Sequence, residues 1–468
     1  MSTSEKIDPL VWRVAAVVFI GPFMTQIDST VVNVSLSSIG DALHATIAST
    51  QWIVSGYLLA LALMLPLNGW FVDRFGAKRM YIGCFTAFTL ASLLCGAAQS
   101  MNQLICARML QGITGGLLVP MGQMMIARVA GKHMARVLGY TVVPVLIAPI
   151  LGPVVAALIL KNASWPWLFY LNLPVGIVGV TLATWLLPAE GASSQARSFD
   201  LPGFLMISPG LACLLYGLQQ AAHGNGVSIL LAGIALVGGF IWHANRNNGA
   251  ALIDLRLFNN KTFSAAAITQ FFANSIFFSR QFLVPIYLIV GCALSPSQAA
   301  WMMTAMGVGM MCSFPAVGFL TERFGCRAVS AGGALVALLA LLPFLWMVFF
   351  HLEPIVAMVC LFFAGAGQGT ITIPSVSAAY ASVAKEKIPA ANTAINIVQR
   401  IGGPIATTAI SIAISTAGLN TAVTRTADPH GFMPAFVVVV ILHLLALVAA
   451  SRLPVLIHSK SATETNAA

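Results

Sequence analysis

Charge is what this sequence has least of. Only 8% of its 468 residues are Asp, Glu, Lys or Arg, and 13 of them are acidic. A soluble domain carries about 25% charged residues, so that class is excluded. No segment is long enough for a soluble catalytic domain, and no GxxxxGK[ST] phosphate loop occurs, which excludes ATP as the direct energy source. The eight cysteines contain no CxxC pair and read as small packing residues, while the eight histidines are scattered without metal-ligand spacing. GAGQG at 365–369 sits in an apolar run with no strand before it, so its glycines read as helix packing rather than a dinucleotide loop.

What is there is apolar: 59% of residues are hydrophobic and the mean hydropathy is +0.90. Fourteen runs, from 13–37 to 433–453, are long enough to cross a hydrocarbon core of about 30 Å. The fold class is therefore all-α integral membrane. The first run is too long for a signal peptide and lacks a small-residue cleavage site, so it reads as a retained helix. The net charge is +10, yet its placement speaks against nucleic acid. Walking the loops alternately in and out, every loop cation except Lys161 and Arg425 falls on one side. The positive-inside rule then puts both termini in the cytoplasm and requires an even number of helices.

A repeat sets the architecture. GWFVDRFGAKR at 69–79 and GFLTERFGCRA at 318–328 align without a gap, matching Gly69, Asp73, Arg74, Gly76 and Lys78 with Gly318, Glu322, Arg323, Gly325 and Arg327. Both lie on the same side, so two halves run in parallel orientation about an axis along the membrane normal. Six helices fall in 1–187 and six in 262–468. The linker 188–261 holds two more, near 202–221 and 227–244.

These residues carry a resemblance. The first loop resembles the signature loop of the major facilitator superfamily. IDSTVVNV (27–34), ARMLQGITGG (107–116), APILGPVV (148–155) and ALIDLRLFNNKTF (251–263) are similar to motifs of its fourteen-helix drug:proton antiporter branch. The resemblance implies a major facilitator fold of two six-helix bundles plus two extra helices. It also implies a loop at Gly69, Asp73, Arg74, Gly76, Lys78 and Arg79, with its repeat, that latches the outward-facing state, and an antiporter motif at Pro149, Gly152 and Pro153. The family's glycine pair is replaced here by Ala156 and Ala157.

The residues say more on their own. Asp28 is the one acidic residue inside the expected spans, where a charge costs about 2.5–3.5 kcal/mol. Arg108, Gln111, Gly112 and Gly115 share one helix face, and Arg108 must look into protein or water. Counting about 1.5 Å per residue, Asp28 lies roughly 15 Å and Arg108 roughly 8 Å from the outer ends of their helices, within reach of each other. Asp28 is thus the candidate proton carrier and Arg108 its candidate partner, with Thr25 and Ser35 on its stripe. A conformational change that parts the pair or rehydrates it switches the proton; the alternative is an Asp28 that only ties helices together. Asp73 is suited to the N-terminus of a neighbouring helix, and Arg74, Lys78 and Arg79 to Asp73 or anionic lipid. Gln26, Asn33, Gln111, Gln270, Asn274 and Gln368 are candidate cavity residues. Arg280 and Arg400 also fall inside helices; if both face the cavity, the substrate is expected to be neutral, zwitterionic or anionic. The expectation is a proton-driven exporter of small molecules in a bacterial cytoplasmic membrane, without cofactor or metal and with no oligomer implied. The alternatives are a dedicated metabolite exporter and a transporter-like sensor.

Overall fold

The computed structural model describes residues 7–188, 198–220, 226–247, 251–416 and 429–455. Loop cations Lys6, Arg197, Arg425 and Lys460, and His223 and His458, lie outside them. Every described regular element is a helix, as backbone without water requires. The first half holds α1 (Pro9–Val34), α2 (Ser49–Phe75), α3 (Ala77–Gly96), α4 (Met101–Ala130), α5 (Met134–Asn162) and α6 (Trp167–Leu186). Next come α7 (Leu201–Leu218) and α8 (Gly226–Arg246). The second half holds α9 (Lys261–Gly291), a long apolar stretch Pro296–Phe349, α12 (Pro354–Ala381), α13 (Lys385–Thr416) and α14 (Pro429–Ser451). Gly325, at φ 82° and ψ 164°, breaks the long stretch into α10 (296–324) and α11 (326–349), which makes fourteen spans among the described residues.

Local chemistry sets the helix starts. Asp8, followed by Pro9, caps α1 by accepting from Leu10 N at 2.8 Å; Asn260 caps α9 through Thr262 N at 2.9 Å. Ser295 and Gln298 form a capping box at the start of α10. The repeated loops fold alike, since Gly76 has φ 81° and ψ 148° at the position matching Gly325. That conformation admits glycine and strains other residues, which explains why both copies keep it.

The apolar core is asymmetric along the membrane normal. At the end bearing the repeated loops, the basic end, both halves share one buried cluster: Val72, Met121, Val137 and Leu138 of the first join Phe314, Val317, Val376 and Ile395 of the second. At the opposite end the core is divided. Val31, Ile39, Ile53 and Leu168 form one cluster within the first half, and Leu283, Phe344, Leu361 and Phe436 another within the second. The halves share a core at the basic end and, among the described residues, none at the other.

Of the two linker helices, α7 touches both halves and α8 packs on α7. Tyr216 of α7 stacks on Trp52 of α2 with ring centroids 6.3 Å apart, and Leu218 O accepts from Thr408 Oγ1 of α13 at 3.1 Å. At the basic end Asp200 caps α7 through Gly203 N, takes Leu252 N at 3.0 Å and meets His243 of α8 at 2.8 Å.

Candidate functional site

Asp28 lies at the centre of a buried polar knot inside the first half. Arg108 Nη1 of α4 donates to Asp28 Oδ2 at 2.6 Å, while Gln111 Nε2 and Asn172 Nδ2 donate to Oδ1 at 3.0 and 2.7 Å. Asp28, Arg108 and Asn172 are each only 1% exposed. The arginine also donates to Gln111 Oε1 at 2.7 Å and lies over the Tyr57 ring, 4.4 Å from its centroid. Ser92 Oγ of α3 accepts from Gln111 and Asn172 and donates to Phe169 O. Three helices therefore meet at the carboxylate itself, α1, α4 and α6, and α2 and α3 join through its partners. Breaking a buried pair by removing one member costs about 3–5 kcal/mol, because the other charge stays behind. Thr25 and Ser35 take no part: their hydroxyls donate back to Pro22 O and Val31 O of the same segment.

α5 packs on the helix that carries Asp28. Ala148, Gly152 and Ala156 are all buried along one face, and a Cβ on Gly152 would meet Thr30 Cγ2 at 2.6 Å. Pro149 and Pro153 face outward on an α5 that stays a single helix through Pro144, Pro149 and Pro153.

The repeated loops close the basic end reciprocally. Gly69 N of α2 donates to Thr393 Oγ1 of α13 at 3.1 Å, and Asp73 shares a small pocket with Ala390 in the first turn of that helix. In the second half, Gly318 of α10 presses on Arg136 of α5, and Glu322 meets His133, the residue preceding α5, at 2.9 Å. Glu322 thus stands at the start of a helix from the opposite half, where the helix dipole favours an anion, and Asp73 lies near the first turn of another. Lys78 differs from the pairing with Asp73 or lipid expected of it, and Arg327 at the matching position behaves like Lys78. Lys78 Nζ donates to Thr184 O and Leu187 O at the end of α6, at 2.8 and 2.7 Å, and Arg327 Nε donates to Leu453 O beyond α14 at 2.7 Å. Both therefore cap a helix C-terminus within their own half. Arg74, Arg79 and Arg323 are exposed, the last beside Phe324.

The family model described as Major Facilitator Superfamily matches residues 18–407. The chain belongs to the major facilitator superfamily. It is accordingly a multi-pass membrane transporter of small molecules. Among relatives in this superfamily, MdtD of Yersinia enterocolitica, which carries a multidrug-resistance name, is 30% identical over 461 residues covering 94% of each chain. The multidrug resistance protein B homolog of Mycobacterium tuberculosis is 32% identical over 423 residues, 88% of this chain and 78% of its own. Of solved structures, the proton:xylose symporter XylE bound to 6-bromo-6-deoxy-D-glucose aligns at TM-score 0.63 and 14% identity, over 94% of this chain and 95% of that one. A bacterial homologue of the iron transporter ferroportin in the outward-facing state aligns at TM-score 0.66 and 11% identity, over 93% and 98%. At these identities the two structures speak for the fold.

Within this major facilitator fold the remaining candidates divide by exposure. Gln26, Asn33 and Arg400 are exposed and Asn274 is half-buried. Gln111 belongs to the Asp28 knot. Gln270 is buried, donating to Thr372 O and Ser375 Oγ and accepting from Gln399 at 2.8 Å. Gln368 is buried with Arg280, which donates to its Oε1 at 2.9 Å and to Ala364 O at 3.0 Å. Each of these four is buried within a single half, Gln111 in the first and the other three in the second, not on an open surface. The three membrane arginines are separated likewise: Arg108 and Arg280 are sealed in different halves, and Arg400 of α13 alone is open, ringed by protein and interacting electrostatically with Tyr57 of the other half. Sequence reading missed Asn172, Ser92 and Tyr57 around the carboxylate. It also missed Asn392, which accepts from Tyr380 at 2.5 Å and donates to Pro120 O across the basic end at 2.9 Å. The available signal was a lone amide in an apolar run, as in YLNLP at 170–174.

Proposed function

We propose that this transporter exports small molecules, of the kind the multidrug-resistance names of its relatives indicate, in exchange for protons. The observation that carries the reading is Asp28: the only acidic side chain described away from a helix end, buried to 1% and held by Arg108, Gln111 and Asn172. A proton on this carboxyl removes the charge that Arg108 neutralises and weakens its bonds to all three donors. Loading and unloading the proton therefore reset the packing of α1 against α4 and α6, and the first half acquires two arrangements. We infer from the positive-inside rule that the basic end faces the cytoplasm of a bacterial inner membrane. The closed core at that end then describes an outward-facing state, in which the carboxyl loads from outside. Each 100 mV of potential supplies about 2.3 kcal/mol per proton, equivalent to roughly a 50-fold gradient of a neutral solute.

The test uses proteoliposomes with a trapped pH dye, an imposed proton gradient and a panel of solutes. Wild type is expected to show solute-dependent proton movement, and Asp28→Asn/Arg108→Gln to fold but lose it. Coupling that persists in the double variant refutes the role of Asp28.

A further inference from the structure

The second half contains a charge that the scheme above does not use. Arg280 of α9 is 2% exposed, yet its described partners are the neutral acceptors Ala364 O and Gln368 Oε1, and its Nε–H has none. The three carboxylates described in this half, Glu322, Glu353 and Glu386, stand at helix ends; Glu322 is engaged with His133 and Glu353 with His351. Arg108, equally buried in the first half, has Asp28 as counter-ion. A buried cation without one is costly enough that proteins normally pair it.

His443 of α14 is the neighbour that completes the picture. Its ring is fully buried and Arg280 acts on it electrostatically. Its Nδ1 lies 2.7 Å from Val439 O, and a carbonyl only accepts, so Nδ1 carries hydrogen and Nε2 is the bare atom. That Nε2 has no partner either. Two unsatisfied nitrogens on adjoining helices, one of them on a guanidinium, form a gap in the polar inventory that buried groups ordinarily fill.

We propose that Arg280 and His443 form a buried site for one monovalent anionic group, a carboxylate or a small inorganic anion. Arg280 Nε–H donates to the anion. Nε2 of His443 donates once it takes up a proton, so the anion and a proton enter together and the site gains no net charge. Arg280 is the ionisable side chain that acts on His443. Tyr287 of α9 also packs against α14, through Phe436, and no described carboxylate from α10, α11 or α13 acts on the ring. Binding therefore strengthens as pH falls. The site lies in the half opposite Asp28, so it is separable from the proton-carrier reading and does not rest on it.

The experiment uses full-length protein in neutral-lipid nanodiscs, in a buffer whose only anion is a bulky sulfonate. Chloride, bromide and acetate are titrated while thermal melting and tryptophan fluorescence are followed at two pH values. Wild type is expected to give a saturable response that is tighter at the lower pH. Arg280→Gln and His443→Gln should each weaken it about tenfold or more, and Arg400→Gln should leave it unchanged. Response to acetate alone identifies the carboxylate of an organic solute, and response to halide identifies a free inorganic ion. Should Arg280→Gln fail to fold, Arg280→Lys keeps the charge but loses the Nε donor and should show weakened binding. No anion response in wild type, as a bridging water alone would give, overturns the proposal. So does an unchanged constant in the Arg280 and His443 variants, or a response that follows Arg400.

Discussion

Gly318→Ala should swing the transporter toward opening at the basic end. A Cβ at this position would sit 2.2 Å from Arg136 Cα, 2.6 Å from its Cβ and 2.9 Å from its N, and two of these three are backbone atoms that no rotamer change removes. To reach ordinary contact α10 and α5 must part by more than an ångström. Overpacking of this kind costs about 1–3 kcal/mol, and it is felt only where the two halves touch, so the closed arrangement loses about 5- to 150-fold in population against the open one. Pulsed electron paramagnetic resonance between spin labels at Arg79 and Ala328, both exposed at the basic end and one in each half, reads the change as a longer distance. Gly307→Ala is the control, since a Cβ there meets nothing within 4 Å. An unchanged distance distribution in Gly318→Ala, with the protein folded, would refute the claim that this contact sets the closed state.

Gly325→Ala combines a left-handed backbone with a Cβ 1.5 Å from Val455 O, and should lower the melting temperature by the equivalent of about 1–3 kcal/mol. Lys78→Met removes the cap on α6 and should cost about 1 kcal/mol in a thermal shift assay, with Arg327→Met behaving alike at the end of α14. Asn172→Leu strips one donor from Asp28 and one from Ser92; a loss of about 1–3 kcal/mol in melting and slower proton-coupled export are expected.

Ions and glycines were the legible part of this protein. Asp28 and Arg108 stand out because charge is rare in an apolar run, and helix geometry alone placed them within reach. The repeat was readable because Gly76 and Gly325 serve a backbone conformation that other residues resist. Neutral amides left no comparable trace: Asn172, Asn392 and Gln270 owe their partners to which helix lies alongside, and residue type does not encode that. Lys78 shows the same limit, since its role depends on where the C-terminus of α6 comes to rest. The exposure of Arg400 against the burial of Arg280 followed from neither composition nor spacing.

The divided core at one end and the shared core at the other have a thermal consequence. Rocking that covers as much apolar surface at the opposite end as it uncovers at the basic end keeps total burial level. Heat capacity follows exposed apolar area, and two arrangements of equal area respond alike to warming. With no heat-capacity difference the enthalpy separating them stays constant, so a van't Hoff plot of the balance should be straight. Curvature in that plot would report unequal apolar burial in the two arrangements.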